Sequence, residues 1–229
     1  MKVLVVGSGG REHALVWKIS QSPKISKIFC APGNGGILSL AECVPINAMD
    51  TEGIIEFSKN ECIDMVVVAP DDPLFAGMVD ALEKEGIRAF GPSQSAAIIE
   101  GSKAYAKDLM KKYNIPTGAY EVFEDSEKAL EYLKGSSYPT VIKADGLALG
   151  KGVLIVQDFN EASSAVNKIM CEKVFGPAGN KVIIEEFLTG PEVSVLAFTD
   201  GNTIVPMVSS QDHKRAFDND EGPNTGGMG

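Results

Sequence analysis

Four cysteines in 229 residues, none in a C-x-x-C pair, and only two histidines leave this chain without a zinc-binding signature. Cys30, Cys43, Cys62 and Cys171 are scattered, which reads as reduced thiols in a cytosolic protein. Long apolar runs are missing too: Met65 to Pro70 and Val153 to Val156 are far too short to cross a bilayer. No signal-peptide pattern precedes the first strand-like segment, so the expected location is cytoplasmic, with no membrane partner. Positive charge is scarce, with 21 Lys and Arg against 31 Asp and Glu and a formal net charge of −10. That balance argues against nucleic acid as a partner, because a phosphate backbone needs a basic footprint. A small anionic substrate would have to be met by a few lysines or helix ends arranged locally against the global field.

What is present is the balance of an ordinary soluble globular chain, 44% hydrophobic and 23% charged. Residues 2–101 alternate strand-like and helix-like segments. The run Lys2 to Val6 ends in Gly7-Ser8-Gly9-Gly10, and helical spacing follows from Arg11 to Ser20. A second run, Ile25 to Ala31, stops at Pro32-Gly33-Asn34-Gly35-Gly36. Helical segments near Thr51 to Lys59 and near Leu74 to Glu85 flank the run Met65 to Ala69, and Arg88-Ala89-Phe90 closes the series. Strands without polar alternation, separated by helices, predict a parallel sheet covered on both faces.

The pattern changes after Gly101. Ser102 to Tyr113 is helical, and Ala119 to Leu188 reads strand, helix (126–134), strand (140–143), glycine loop, strand (153–156), helix (160–174), strand (181–185). That is a small α+β unit with the size of a lid. Val193 to Phe198 and Thr203 to Val208 predict an antiparallel pair around Asp200-Gly201-Asn202. Residues 211–229 are polar and glycine-rich, with no strand or helix expected, and a domain rarely stops on such a stretch, so a continuation is expected.

The first glycine loop fails as a dinucleotide fingerprint. In Gly7-Ser8-Gly9-Gly10-Arg11-Glu12 a glutamate stands where the third glycine must pack, and the second strand ends in Ala31-Pro32 with no carboxylate for a ribose. Its backbone N–H groups still suit some other phosphate at a helix start, and a plain tight turn fits equally well. A Walker A loop is absent as well: residues 146–152 (GLALGKG) are one residue short between glycines and carry Gly152 where a Ser or Thr must bind magnesium. Three lysines stand out instead. Lys143 lies in phase with core residues at the end of an apolar strand. Lys151 sits in the glycine hairpin. Lys103 follows Ser102, a residue suited to cap a helix, and so stands in the first turn, where a cation opposes the helix dipole at a cost of about 0.3–1 kcal/mol unless an anion lies nearby. Finally, Val182 to Leu188 runs from apolar strand into the acidic pair Glu185-Glu186, with Glu192 four residues beyond. Backbone groups there could meet an adenine edge and a carboxylate could reach ribose hydroxyls.

Together these segments resemble the ATP-grasp superfamily and, within it, the phosphoribosylamine–glycine ligase family. The resemblance spans the chain in order: VLVVGSGGREHAL, PGNGG, APDDPLFAGMVD, FGPSQSAAIIEGSKAYAKDLM, VIKADGLALGKGV, VIIEEFLTGPEVSV and SQDHKR followed by GPNTGGMG. It implies a Rossmann-like amino-terminal domain (1–101), an ATP-grasp core cut short (102–119 and 190–229) and a lid (120–189). It implies that glycine, ATP and 5-phosphoribosylamine give glycinamide ribonucleotide, ADP and phosphate through glycyl phosphate. Lys103, Lys143 and Lys151 would contact ATP phosphates, Glu185 and Leu188 the adenine through their backbones, and Glu192 the ribose. Gly9, Gly10, Asp212, Lys214, Asn224 and Thr225 would face the acceptor substrates. Mg2+ or Mn2+ is implied for the full-length enzyme, with no ligand for it within this chain. Two rivals remain: another purine-pathway ATP-grasp enzyme, and a non-catalytic nucleotide-binding fragment.

Overall fold

A computed structural model describes residues 1–146, 152–211, 213–218 and 221–228, with the backbone alone at 213–215 and 222–228. The chain divides into two units, Met1–Phe187 and Leu188–Gly229.

The first unit opens with β1 (Lys2–Gly7), α1 (Gly10–Ser20), β2 (Lys27–Pro32), β3 (Glu42–Cys43), α2 (Thr51–Asn60), β4 (Met65–Val68), α3 (Asp71–Phe75), α4 (Met78–Lys84) and β5 (Ala89–Phe90). These strands form one parallel sheet in the order β3-β2-β1-β4-β5. Central β1 is apolar from Val3 to Val6 because both of its faces are covered there. Leu4 and Val6 join Phe29, Ile54, Val66 and Leu82 on one side, while Val3 and Val5 join Val16, Cys30 and Ile37 on the other. The single helix expected near Leu74 to Glu85 is two helices, because Gly77 adopts φ +88° between them, a conformation that ends α3 and starts α4. A further helix, α5 (Gln94–Gly101), precedes α6 (Lys103–Lys112). It was not evident from periodicity. Its closeness to α3 requires glycine at 101, where a Cβ would lie 2.2 Å from the Phe75 ring.

The same unit continues with β6 (Tyr120–Phe123), α7 (Ser126–Lys134), β7 (Thr140–Ala144), β8 (Val153–Val156), α8 (Phe159–Val166) and β9 (Val182–Glu186). The helix predicted over 160–174 is shorter, and it widens into a π-type turn at Asn167–Cys171. Asp125 and Asp158 cap α7 and α8 by accepting from the backbone N–H of Lys128 and Glu161. The four strands form an antiparallel sheet in the order β6-β9-β7-β8. Ile142, Ala144, Val182 and Ile184 on one face pack against Ala129, Leu133, Ala162, Val166 and Ile169 of the helices. By strand alternation the other face carries Val141, Lys143, Ile183 and Glu185.

The second unit holds β10 (Ala197–Thr199) paired antiparallel with β11 (Ile204–Pro206), as expected around Asp200, whose Oδ1 accepts from the N–H groups of Asn202 and Thr203. The expectation of no strand after residue 211 is corrected: β12 (His213–Phe217) pairs antiparallel with β13 (Glu221–Met228), with register shifts along the ladder. A two-stranded ladder needs only backbone donors and acceptors, so a glycine-rich stretch without apolar alternation can form one. Among the described residues no helix is long and apolar enough to cross a membrane.

Candidate functional site

One face of the β6-β9-β7-β8 sheet and helix α6 bring together a largely buried cluster of two lysines and a glutamate. Glu185 on β9 is only 7% exposed. Its Oε2 accepts from Lys143 Nζ on β7 at 2.9 Å and is 2.9 Å from Lys107 Nζ on α6. Its Oε1 is also buried and has no hydrogen-bond partner among the described residues. Lys107 spends its remaining donors on Thr117 Oγ1 at 2.8 Å and Gly118 O at 3.5 Å, and its ammonium stands 5.5 Å from the centre of the Tyr120 ring. Lys143, with a side chain 26% exposed, keeps donors to spare. Val153 and Ile155 lie opposite Lys143 and Val141 in the register, and they are 39% and 46% exposed. The face therefore offers an apolar floor beside a buried acceptor and a partly free ammonium.

Register explains how Lys143 and Glu185 meet. Lys143 pairs with Ile183 and Val141 with Glu185, so both charged side chains project from the same side of neighbouring strands, two residues apart. Thr140 Oγ1 donates to the Glu185 carbonyl at 2.8 Å, which ties the β9 backbone to β7 beside the charged side chain. Nothing in the sequence alone singles out Lys107. Its only signal is a spacing of four from Lys103, which sets the two lysines on one face of α6.

The start of α6 holds the anion that Lys103 calls for, and it belongs to the protein. The Asp145 carboxylate accepts from Ser102 Oγ at 3.1 Å and from the Ala104 N–H at 3.1 Å. Lys103 Nζ donates to the Gly146 carbonyl at 2.8 Å, and Ser102 caps the helix by accepting from the Tyr105 N–H. These contacts bring Lys103 to the end of β7, three residues from Lys143. Lys151 lies outside the described residues. On the flank of α6, Tyr120 Oη donates to Asp108 Oδ1 at 2.7 Å, and desolvation together with that carboxylate pushes the phenol up to about 12.

At the carboxyl end of the parallel sheet, Glu12 takes the place that a dinucleotide loop leaves open. It is 6% exposed and its Oε2 accepts from the Gly9 N–H at 2.5 Å. A Cβ on Gly7, whose φ is +125°, would meet the Glu12 side chain at 2.5 Å. Asn34 ties the second glycine loop to the first, donating to the Ser8 carbonyl at 2.8 Å while accepting from the Gly36 and Ile37 N–H groups. Gly10 opens α1, so its N–H is among the first-turn donors without an intrahelical acceptor. The strand order reverses between β1 and β4, which in open parallel sheets marks the crevice where ligands bind.

Leu188 and Glu192 belong to the second unit, where Leu188 is exposed. Lys214 lies in β12, and Asn224 and Thr225 in β13, with Asn224 opposite Arg215. Asp212 lies outside the described residues. No group of three or more His, Cys, Asp and Glu side chains suited to a metal occurs among the described residues.

A parallel α/β sheet followed by an antiparallel, lysine-bearing sheet packed on helices is the architecture of an ATP-grasp protein. A family model described as the ATP-grasp (A) domain of phosphoribosylglycinamide synthetase matches residues 101–229. The biotin carboxylase domain of Hydrogenobacter thermophilus 2-oxoglutarate carboxylase shares the fold at a TM-score of 0.74 and 19% identity, over 91% of this chain and 49% of that one. The phosphoribosylglycinamide synthetase N domain matches residues 1–100, and the chain belongs to that family. It is 52% identical to a phosphoribosylamine–glycine ligase of Clostridium acetobutylicum and 54% to one of Caldanaerobacter subterraneus subsp. tengcongensis, in each case over all of this chain and 55% of the relative. The crystal structure of the Thermotoga maritima phosphoribosylamine–glycine ligase matches with a TM-score of 0.85 and 36% identity, over 100% of this chain and 54% of that one. The chain spans about half the length of the curated relatives it matches.

Proposed function

We propose that this chain is the nucleotide-gripping portion of a phosphoribosylamine–glycine ligase of purine biosynthesis, with 1–101 as the Rossmann-like domain, 120–189 as the lid, and 102–119 with 190–229 as core. The observation that carries the nucleotide is Glu185 Oε1, a buried carboxylate oxygen without a donor among the described residues. An unmet acceptor of this kind costs about 1–3 kcal/mol, which a ligand N–H would relieve. The adenine 6-amino group is such a donor, Lys143 is suited to a ring nitrogen or a phosphate, and Val153 and Ile155 suit the flat ring. Guanine would bring a carbonyl oxygen against the carboxylate. Lys103, Lys143 and Lys151 are proposed for the ATP phosphates, with Leu188 and Glu192 for adenine and ribose as the family resemblance implies.

In this reading the glycine carboxylate attacks the γ-phosphate, and the amine of 5-phosphoribosylamine then displaces phosphate from glycyl phosphate. The protein's part in the first step is positioning and neutralising charge, which lysines held by backbone and carboxylate contacts can do without reorganising. The first-turn N–H groups at Gly9 and Gly10 are proposed for the acceptor, with Glu12 leaving Gly10 as the freer donor, and Asp212, Lys214, Asn224 and Thr225 are proposed for the same substrates. Mg2+ or Mn2+ is implied by the family for the full-length enzyme, and no cluster of three or more His, Cys, Asp and Glu side chains suited to it occurs among the described residues. The test is ADP release by the full-length protein. Release that needs both glycine and 5-phosphoribosylamine, with ATP bound in preference to GTP, is expected. Release with formate or bicarbonate in place of glycine, or equal affinity for GTP, would overturn the reading.

A further inference from the structure

We propose that Lys107 is a positioning residue that sets the protein's preference for a 6-aminopurine nucleotide, an inference that rests on the nucleotide reading above. Lys107 never needs to touch the ligand. Its ammonium is committed to Glu185 Oε2, Thr117 Oγ1 and the Gly118 carbonyl, and the side chain is 10% exposed. The three acceptors come from β9 and from the segment that leads from α6 to β6, so Lys107 fixes the Glu185 carboxylate relative to the sheet from the helix side.

The consequence lies in which oxygen is free. Lys107 and Lys143 both converge on Oε2, and Oε1 has no donor among the described residues. The local charge of two ammoniums and one carboxylate is +1, so Lys143 retains net attraction for an anion while the carboxylate retains one vacant acceptor. Without Lys107 the charges of Glu185 and Lys143 cancel. The carboxylate is then free to turn toward Lys143 with both oxygens, which occupies the acceptor and withdraws the cation together. The resulting pair would hold nucleotides more weakly and would read the 6-amino group poorly. Lys107 thus acts on selectivity through Glu185, a role distinct from that of the phosphate-contacting lysines.

Binding of ATP and of purine riboside triphosphate, which lacks the 6-amino group, measured by calorimetry on the full-length protein, tests this. The unmodified protein should prefer ATP by at least about tenfold, the value of one hydrogen bond to a charged group. Lys107→Met should bring the ratio of dissociation constants close to one, and Lys107→Arg should restore most of it. A residue needed only for folding would weaken both nucleotides equally and leave the ratio unchanged, and that result overturns the inference. If Lys107→Met fails to fold by circular dichroism, Thr117→Val removes one anchor of the ammonium and should lower the ratio about threefold; an unchanged ratio there also overturns it. No preference in the unmodified protein would instead sink the nucleotide reading itself.

Discussion

Lys107 and Glu185 approach to 2.9 Å from different elements, α6 and β9, with side chains only 10% and 8% exposed. Removing one member of a buried ion pair strands the other, whereas removing both together can be close to neutral. Glu185→Ala leaves two ammoniums facing each other and is expected to cost about 3–5 kcal/mol in urea unfolding. The double variant Lys107→Met/Glu185→Leu should recover at least half of that loss. Additive losses would mean that the pair is not energetically coupled.

Gly7 is held in the left-handed region by the turn from β1 and is crowded by Glu12. Gly7→Ala should destabilise the amino-terminal sheet by about 1–3 kcal/mol through its positive φ. Combining it with Glu12→Ala relieves the clash but not the backbone conformation, so thermal denaturation should show partial rescue. Full rescue would assign the whole cost to the clash.

Nicotinamide cofactors are not expected to bind the amino-terminal sheet, because Glu12 Oε2 holds the Gly9 N–H and fills the position of the packing glycine. Titration with NADH should leave its fluorescence unchanged. A saturable enhancement at micromolar concentrations would contradict this account of the loop.

Burial, with Cys43 and Glu12 nearby, pushes the Cys30 thiol from its usual 9.0 up to about 12, while Cys62 and Cys171 are exposed. Alkylation at pH 8 should therefore label Cys62 and Cys171 first and leave Cys30 protected until the protein unfolds. Because its folded value is raised, Cys30 contributes stability that is complete below about pH 9 and is lost as pH climbs toward about 12. Cys30→Ala should flatten that part of the alkaline stability profile. Rapid labelling of Cys30 in the folded state would refute the burial on which this rests.

The parallel sheet was legible because its strands carry no polar alternation, and Lys143 stood out because it interrupts an apolar run. What escaped the sequence depended on contacts between distant segments. Lys107 gains meaning only when β9 brings Glu185 across to α6. Asp145 is an ordinary loop residue until its carboxylate meets the Ser102 hydroxyl, 43 positions away. The split between α3 and α4 hung on one glycine whose φ no periodicity reports. The β12–β13 ladder is made by backbone groups that every residue type shares.

Neighbouring positions on β9 answer to unrelated demands. Ile184 contributes volume to a layer of side chains beneath the helices, and Glu185, one step along, contributes charge on the opposite side. A library covering every amino acid at each position from 182 to 186 should return a two-beat tolerance profile. Ile184 should accept Val or Leu and reject anything charged, and Glu185 should reject apolar residues of similar size. A single-residue deletion just upstream would interchange the two vocabularies at once, driving an acid into the hydrocarbon layer and an isoleucine among the lysines. Length between Ala178 and Glu185 should therefore be guarded more strictly than composition, and variants there should fail by indel long before they fail by substitution.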